Sequence, residues 1–592
     1  MAILAGIAAL FVGWLTAKTI EGRPSIAELR TGTDDAFALG GLEPRENLVG
    51  GGALRWTRPT AEFRFDDIGP GAVDITLTAR DHRTEVTVTA NGASIGTLAP
   101  GQRELRTRTT LQGRGVTIAL QTEGFTTASG RALGTQFESL AVAPVEVSVA
   151  PRRFLFVLAV VFALGLIVQL ALGRSPLFAL LAPLLLAAMT VPSGLWRSGW
   201  TVECGVLTTL SALGAAAVAS AGSGSGRAKG ALQCATMLGL AVHFVLPPSP
   251  LIVQSDAQLH GNKLGEVARG NLFPISRTDH KTPFDFPYGF SFYALLSPLA
   301  SSAVENVSVA RHGAAFFTGL SILALGLVVG RVSSAWSAGA LVFWTFAPAN
   351  IRTMAYGNLN NVFAQATFVL FLTGATRLPG PSFLKWALAM MMAVSATAHL
   401  SSFIVVAIFC AFTLLLPSDR RQPAARPLFM GAGLAAIYFL TFAPMIVRQA
   451  PRLLAERGGS AGAFDPWRLP QTIGSLGAGW PLIGAALLAV AVRRTRTLLP
   501  LPRGLSWTII FLAGLALVSP IEVRYMLAAI PLLAIVGAAT LQPRGDIAPG
   551  DTEISPALRA GTGALLVASV LQGAIVLREY VPLWARQAGL LH

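Results

Sequence analysis

An acid, an imidazole and an amine lie close together in a long polar segment at residues 247–308. Asp256, His260 and Lys263 are four and three residues apart, so a helix through them places the three side chains on one face. Three prolines within residues 247–250 end the preceding apolar run, so Asp256 is expected just beyond it. Such a set could accept a proton from a hydroxyl group and hold an anion beside it.

The composition indicates which elements must position these groups. Only 13% of the residues are charged and 53% are hydrophobic, whereas about 25% charged residues is usual in soluble proteins. Apolar runs of roughly 15 to 20 residues recur between short breaks marked by Arg or Pro, as in transmembrane helices. The sequence therefore predicts a polytopic α-helical membrane protein with about fifteen spans, and it excludes a purely soluble enzyme.

Charge and cysteine usage exclude other classes. The net charge is +15, but only five of the 45 basic residues are Lys, and the Arg residues are spread through loops instead of one face. No nucleic-acid partner is expected. Cys204, Cys234 and Cys410 lie in apolar segments and form neither a disulfide framework nor a metal-ligand spacing.

The chain is predicted to contain three parts. The first apolar run lacks a preceding basic residue and a clear cleavage pattern, which favours a signal anchor over a removed signal peptide. The parts are a signal-anchor span at residues 1–20, an exported β-sandwich at 21–153, and a multi-span membrane domain at 154–592 that contains the exported loop 247–308.

Alternating apolar and polar residues predict the β-sandwich. Residues 72–78 and 116–121 alternate with a period of two, which gives each strand one buried face. Asn91 and Gly92 suit a two-residue hairpin turn.

Basic loops predict the orientation of the spans. By the positive-inside rule, the side that carries more Lys and Arg is cytoplasmic. The amino terminus then lies inside, and the β-domain and the loop 247–308 lie outside the cytoplasmic membrane. The basic residues on the predicted cytoplasmic side are Arg227, Lys229, Arg420, Arg421, Arg426, Arg493, Arg494, Arg496 and Arg503.

Further motifs follow Asp256 and His260 in the exported segments: Gly270 to Pro274, Pro287 to Gly289, Tyr356 to Asn361, Ala398 to Leu400, and Arg524 with Tyr525. In this order, over residues 256–531, the sequence resembles the GT-C class of membrane glycosyltransferases, which take sugars from polyprenyl-phosphate donors. The resemblance implies a GT-C-like membrane domain, a polyprenyl-phosphate sugar as donor, and a glycan, lipid or protein as acceptor.

The sequence departs from the simplest members of that class in two ways. Asn358 and Asn360 stand where an acidic residue is usual, which leaves the need for a divalent metal open. Four additional spans separate the β-domain from the catalytic loop, which leaves the subfamily open. A β-domain directly after the first span is similar in layout to mycobacterial arabinosyltransferases, whose corresponding domain has a carbohydrate-binding fold.

The expected chemistry is inverting transfer of a sugar to an alcohol. One carboxylate must take the acceptor proton, whereas the phosphate leaves unaided as a stable anion, so a single Asp suffices. Asp256 is the candidate base. Cations must hold the phosphate, and the candidates are Lys263, Arg269, Arg352, Arg448 and Arg524. The candidates for substrate binding are His260, Asp285, Tyr288, Asn358, Asn360 and His399.

A structural role stays open for these candidates. Asp256 is suited to cap the helix that follows it, and one residue can do both. The alternative roles are a hydrogen bond to Asp256 or lipid headgroups for His260, a solvated loop for Asp285, an interfacial anchor for Tyr288, a turn or cap for Asn358 and Asn360, and an ion pair with Glu522 for Arg524. His399 has no partner near it in sequence.

Two other function classes compete with the transferase. A transporter or flippase of lipid-linked sugars usually carries ionisable residues at mid-membrane depth, and the middles of these spans almost lack them. A noncatalytic scaffold for the cell envelope would not explain why an acid, an imidazole and several cations lie together directly after one predicted span. Both remain alternatives to the transferase.

Overall fold

The computed structural model describes residues 53–66, 68–127, 132–145, 151–191, 195–249, 256–277, 285–301, 303–331, 336–376, 381–445, 447–449 and 502–518, with shorter pieces elsewhere. The chain divides into two units. One unit comprises residues 1–216, 248–253 and 581–592, and the other comprises residues 217–247 and 254–580.

Short strands fill the amino-terminal part of the first unit. They are β1 (Ala27–Arg30), β2 (Ala38–Leu42), β3 (Glu46–Asn47), β4 (Ala53–Phe65), β5 (Gly71–Asp81), β6 (Val86–Ala90), β7 (Ala93–Leu98), β8 (Glu104–Leu111), β9 (Val116–Gln121), β10 (Phe125–Thr126), β11 (Ala132–Leu133) and β12 (Gln136–Pro144).

Ten of these strands form a sandwich-like antiparallel sheet. Its main path is β7-β6-β9-β4-β12-β5-β8, and β1, β2 and β3 pair beside it. The long strand β4 joins the two layers, because its second half pairs with β9 while Arg55 and Trp56 pair with β12. At the two ends of the path, the hydroxyl of Thr107 on β8 donates to the carbonyl of Ile95 on β7 at 2.9 Å.

The strand predictions are confirmed. The predicted strand at residues 72–78 lies within β5, and the one at 116–121 matches β9. Asn91 and Gly92 turn between β6 and β7 with φ values of 47° and 83°, in the left-handed region that such turns require. Alternate residues of these strands, such as Ile75, are buried, so the period of two does mark the buried face.

The described residues after Pro151 are mostly helical. The described helices are α1 (Arg152–Ala171), α2 (Leu181–Thr190), α3 (Trp200–Ala221), α4 (Gly226–Leu240), α5 (Ala257–Ala268), α6 (Ser291–Leu296), α7 (Ala303–Val329), α8 (Trp336–Phe346), α9 (Pro348–Tyr356), α10 (Leu359–Ala375), α11 (Ser382–Ala398), α12 (Leu400–Leu415), α13 (Pro417–Arg420), α14 (Ala425–Leu440) and α15 (Pro502–Val518). Two further short strands, β13 (Ile275–Arg277) and β14 (Asp285–Pro287), pair with each other.

The prediction of about fifteen spans is not supported. In the described part of the chain, four helices are long and apolar enough to cross a membrane, or up to five if one bent pair is a single span. The four are residues 152–171, 200–221, 226–245 and 306–329. Other apolar helices, such as α10, α11 and α12, have 16 or 17 residues. Residues 452–501 of the predicted membrane domain lie outside the described part of the chain.

Several of these shorter helices surround one apolar core in the second unit. Trp344 of α8, Phe371 of α10 and Phe409 of α12 are among its fully buried side chains. A second cluster of apolar residues joins α5, α6, α7 and α10, with Phe292 and Phe363 at its centre. This second cluster holds the elements that carry the predicted site.

Candidate functional site

Four predicted substrate-binding residues come together in the second unit. His260 lies in α5, Tyr288 follows β14, Asn360 lies in the first turn of α10, and His399 separates α11 from α12. The ring of Tyr288 has its centroid 6.4 Å from that of His260 and 5.7 Å from that of His399. The side-chain amide of Asn360 donates to the carbonyl of Ala398 at 3.4 Å. We call these four buried residues the convergent cluster.

Gly289 lets the backbone after Tyr288 reach the end of α11. A β-carbon at Gly289 would overlap the carbonyl of Ala398. The next amide, that of Phe290, donates to the carbonyl of Thr397 at 3.1 Å. The Pro-Tyr-Gly motif is therefore the point where the loop 247–308 is fastened against the α11–α12 junction.

Gly357 holds Asp256 beside the Tyr-Gly-Asn motif. Its φ is +76°, and a β-carbon there would lie 2.6 Å from the Cβ of Gln254. The amide of Asp256 donates to the carbonyl of Tyr356 at 3.1 Å, and the side-chain amide of Gln254 donates to the carbonyl of Met354 at 2.8 Å. The start of α5 and the end of α9 are thus joined through close backbone contacts.

Asp256 occupies the N-cap position of α5, but in this described segment its side chain makes no capping hydrogen bond. The residue is half-buried. The backbone of Asp256 thus begins α5 without a side-chain cap.

His260 is held by protein groups at both ring nitrogens. Its Nδ1 lies 2.7 Å from the hydroxyl oxygen of Tyr293, and its Nε2 accepts from the amide of Leu359 at 3.2 Å. Burial lowers the pKa of His260 to about 3, because the imidazolium would lose its hydration. At neutral pH the ring is uncharged, so His260 positions the cluster and does not hold a phosphate as a cation.

The structure buries the face of α5 that the helical pattern assigned to polar contacts. Both His260 and Lys263 are buried, whereas Leu259 of the same helix is 37% exposed. The reason is tertiary, since the aromatic rings of Tyr288, Phe292 and Tyr293 cover His260.

Tyr293 is a further residue of this region. It is buried, and its ring stacks on that of His260 with centroids 6.0 Å apart. Burial and the neighbouring Tyr288 raise the pKa of Tyr293, so it stays a neutral phenol. Its partner His260 is 33 residues away in the chain, so local spacing gave no signal.

His399 begins α12 as its N-cap. Its Nδ1 accepts from the amide of Ser401 at 3.1 Å. The hydroxyl of Ser401 donates to Oδ1 of Asn361 at 3.1 Å. The side-chain amide of Asn361 in turn donates to Oδ1 of Asn360 at 3.5 Å. Ser401 and Asn361 were missed as partners, and the two are 40 residues apart in the chain.

Lys263 already uses its three N–H donors. Its Nζ donates to both carboxylate oxygens of Glu266 at 2.9 Å and to the carbonyl of Ile275 at 2.8 Å. These contacts tie α5 to β13. To hold a phosphate, Lys263 would have to exchange one of these bonds.

The other predicted cations are placed differently. Arg352 is half-buried in α9, one helical turn before Tyr356, whose carbonyl accepts from Asp256. Arg269 at the end of α5 and Arg448 are exposed. Arg524 lies outside the described residues.

Asp285 and Asn358 lie at the edges of this region. The amide of Asp285 donates to the side-chain oxygen of Gln449 at 2.8 Å, and the side-chain amide of Gln449 donates to the carbonyl of Asp285 at 2.8 Å. Asp285 itself is exposed. Asn358 is half-buried at the N-cap of α10, and in this described helix start it makes no side-chain capping bond.

Within the described residues, no group of three or more His, Cys, Asp or Glu side chains is arranged to hold a metal ion. The convergent cluster consists of hydrogen-bonding and aromatic groups. Such groups suit contacts with a polar, uncharged ligand such as a sugar.

No protein-family model and no curated protein matches the chain. Similar solved structures include the CBM36-1 domain of a multidomain xylanase from the hindgut metagenome of Trinervitermes trinervoides, at 15% identity and a TM-score of 0.15, over 21% of this chain and 99% of that one. The CBM51-2 and INT domains from Clostridium perfringens ZmpB match at 8% identity and a TM-score of 0.13, over 32% of this chain and 42% of that one. At these TM-scores neither likeness bears on fold or function.

Proposed function

We propose that this chain is an inverting glycosyltransferase of the cytoplasmic membrane. It would move a sugar from a polyprenyl-phosphate donor to a glycan, lipid or protein acceptor on the exported face. The observation that carries the proposal is the convergence of His260, Tyr288, Asn360 and His399 from four separate segments, with Asp256 one helical turn before His260.

Asp256 is proposed as the general base. The acceptor hydroxyl attacks C1 of the sugar, its proton passes to the carboxylate of Asp256, and the bond between C1 and the phosphate oxygen breaks. The electron pair of that bond leaves with the polyprenyl phosphate. No second carboxylate is needed, because the phosphate is a stable leaving group without protonation.

The placement of Asp256 supports this role. Its backbone is fixed by the hydrogen bond to Tyr356, which positions a half-buried carboxylate without using it as a helix cap. His260, one turn later in α5, is fixed through Leu359 in the same Tyr356–Leu359 segment. Base and cluster are therefore held by one short stretch of chain, which suits the fixed geometry that group transfer needs.

Arg352 is the proposed phosphate ligand among the described cations. It is half-buried, and it lies on the helix whose last residue contacts Asp256. A guanidinium can bind two phosphate oxygens at once, and partial burial strengthens that interaction. Lys263 would have to exchange one of its hydrogen bonds to Glu266 and Ile275 to take part in phosphate binding.

The test is transfer of labelled sugar in membrane vesicles given a panel of polyprenyl-phosphate monosaccharides. Asp256→Asn is expected to lower transfer by at least about 100-fold, the usual lower bound for loss of a general base. Asp74→Asn, at an exposed aspartate of β5, is the matched control and should retain full transfer. Expression and membrane insertion of both variants are checked by quantitative blotting.

Full transfer by Asp256→Asn would remove that residue from the mechanism. A liposome assay separates the transporter alternative. If purified wild-type protein moves lipid-linked sugar across the bilayer and forms no glycosidic bond, the transferase proposal is wrong and a flippase is the better assignment.

A further inference from the structure

A positively charged cleft lies in the first unit, and none of its lining residues belongs to the convergent cluster. It has a volume of about 480 Å³. Four arginines and a single carboxylate line it: Arg64, Arg114, Arg152, Arg153 and Asp66. The β6–β7 turn contributes Asn91 to the same lining.

The lining charges do not balance. Asp66 forms ion pairs with both Arg64, at 3.1 Å, and Arg153. Arg114 and Arg152 add two more positive charges, and no second carboxylate belongs to this described lining. The cleft therefore has a formal charge of +3, four arginines minus one aspartate. Partly enclosed like charges of this kind attract an anion.

The walls of the cleft are fixed by hydrogen bonds. Oδ1 of Asn91 accepts from the amide of Thr117 at 2.8 Å. The carbonyl of Arg114 accepts from the amide of Gly69 at 3.0 Å, and the amide of Asp66 donates to the carbonyl of Arg197 at 2.9 Å. The arginines thus project from a fixed backbone, so a bound ligand has to order their side chains but not the backbone that carries them.

One side of the cleft is the start of a helix that can cross a membrane. Arg152 and Arg153 are the first two residues of α1, which has a mean hydropathy of 2.8 over its membrane-length window. The remaining residues of α1 carry no charge. If α1 spans the bilayer, its charged end lies at headgroup level, where the most abundant anions are lipid phosphates.

We propose that this cleft binds the phosphate group of an anionic membrane lipid. The guanidinium forks suit the phosphate oxygens, and the apolar helix below them runs where the acyl chains lie. The partial positive charge at the amino terminus of α1 adds to the attraction. The site is independent of the proposed transferase chemistry, because none of its residues belongs to the convergent cluster.

The test is a binding titration of the full chain, purified in an uncharged detergent, with three probes. The probes are short-chain phosphatidylglycerol, short-chain phosphatidylcholine and inorganic phosphate. Phosphatidylglycerol is expected to bind more tightly than phosphatidylcholine, whose ammonium group offsets the phosphate charge. Inorganic phosphate binding as tightly as phosphatidylglycerol would show a site for a soluble anion and would overturn the lipid assignment.

Three variants locate the binding site. Arg152 is exposed, so Arg152→Gln should not disturb folding, and it should weaken phosphatidylglycerol binding about fivefold. Arg114→Gln should act in the same direction. Asp66→Asn removes the one negative charge and should tighten binding, a sign that misfolding would not produce.

The matched control is Arg106→Gln, an exposed arginine of β8 that does not line the cleft. It removes the same charge and should leave the affinity at the wild-type value. The proposal is overturned if Arg152→Gln and Asp66→Asn both bind phosphatidylglycerol with the wild-type affinity. It is also overturned if Arg152→Gln and Arg106→Gln lose the same amount of affinity.

Discussion

The Nδ1 atom of His260 lies 2.7 Å from the hydroxyl oxygen of Tyr293, and both side chains are buried. This pair joins α5 to α6 inside the second apolar cluster. A buried polar group that loses its partner keeps its full desolvation cost. The pair is therefore a sensitive point for both the stability and the geometry of the candidate site.

Removing the hydroxyl of Tyr293 should destabilise the protein. Tyr293→Phe leaves Nδ1 of His260 buried without this partner, and the free energy of unfolding should fall by about 1–3 kcal/mol. The measurement is denaturant unfolding in detergent. Tyr356→Phe is the control, since Tyr356 is 52% exposed and its replacement should cost less than about 0.5 kcal/mol. Equal stability of the two variants would contradict the role given to Tyr293.

His260 should make stability depend on pH. Its pKa is about 3 in the folded chain against an ordinary value of 6.5, so as the pH falls below 6.5 the unfolded chain binds a proton that the folded chain does not. Stability is therefore lost on acidification, by about 1.4 kcal/mol for each unit within that window. Above pH 6.5 this contribution is flat.

Comparison of His260→Gln with wild type isolates the contribution of His260 to the pH dependence of the unfolding free energy. Unfolding free energies between pH 6.5 and pH 4.5 should fall less steeply in His260→Gln. His312→Gln, at a half-buried histidine of α7 outside the convergent cluster, is the matched control and should keep the wild-type pH dependence. A wild-type slope in His260→Gln would show that the titration belongs to other groups.

Gly289 should not tolerate a side chain. In Gly289→Ala the new methyl group meets the carbonyl of Ala398, so the loop must move away from the α11–α12 junction, at a cost of about 1–3 kcal/mol. Gly433→Ala is the control, because no atom lies within 4 Å of a β-carbon built there and alanine favours the helix α14. Unfolding measurements that rank the two variants the other way would contradict this packing.

Lys263 and Glu266 should be energetically coupled. Because Glu266 accepts two of the hydrogen bonds of Lys263, the Lys263→Gln and Glu266→Gln substitutions should not add in the double variant. The expected coupling is about 1 kcal/mol, since Glu266 is partly exposed to solvent. A double-mutant cycle measures it. If the two substitutions instead have additive effects on stability, and Lys263→Gln no longer binds the sugar donor, Lys263 is better assigned as a phosphate ligand.

The local features of the fold followed from the sequence because their causes are local. Strand β9 matches a stretch of period-two alternation, and the β6–β7 turn lies at the Asn-Gly pair. Helix α9 begins at Pro348, a residue that is favourable in a first helical turn.

The candidate site was predicted only in part. The order of the motifs indicated that His260, Tyr288, Asn360 and His399 belong together, and the structure brings them into one cluster. The contact between His260 and Tyr293 could not be predicted, because it joins segments 33 residues apart in the chain. The same holds for Lys263, whose bond to the carbonyl of Ile275 depends on where β13 lies.

Only His399 separates the last residue of α11 from the first residue of α12. Adding or deleting one residue at this junction would turn one helix by about 100° about its axis relative to the other. The Tyr288 contact and the Ser401 cap would then face different directions. At this point of the chain, length is constrained more tightly than side-chain chemistry, so natural variation here is expected as substitutions and not as insertions.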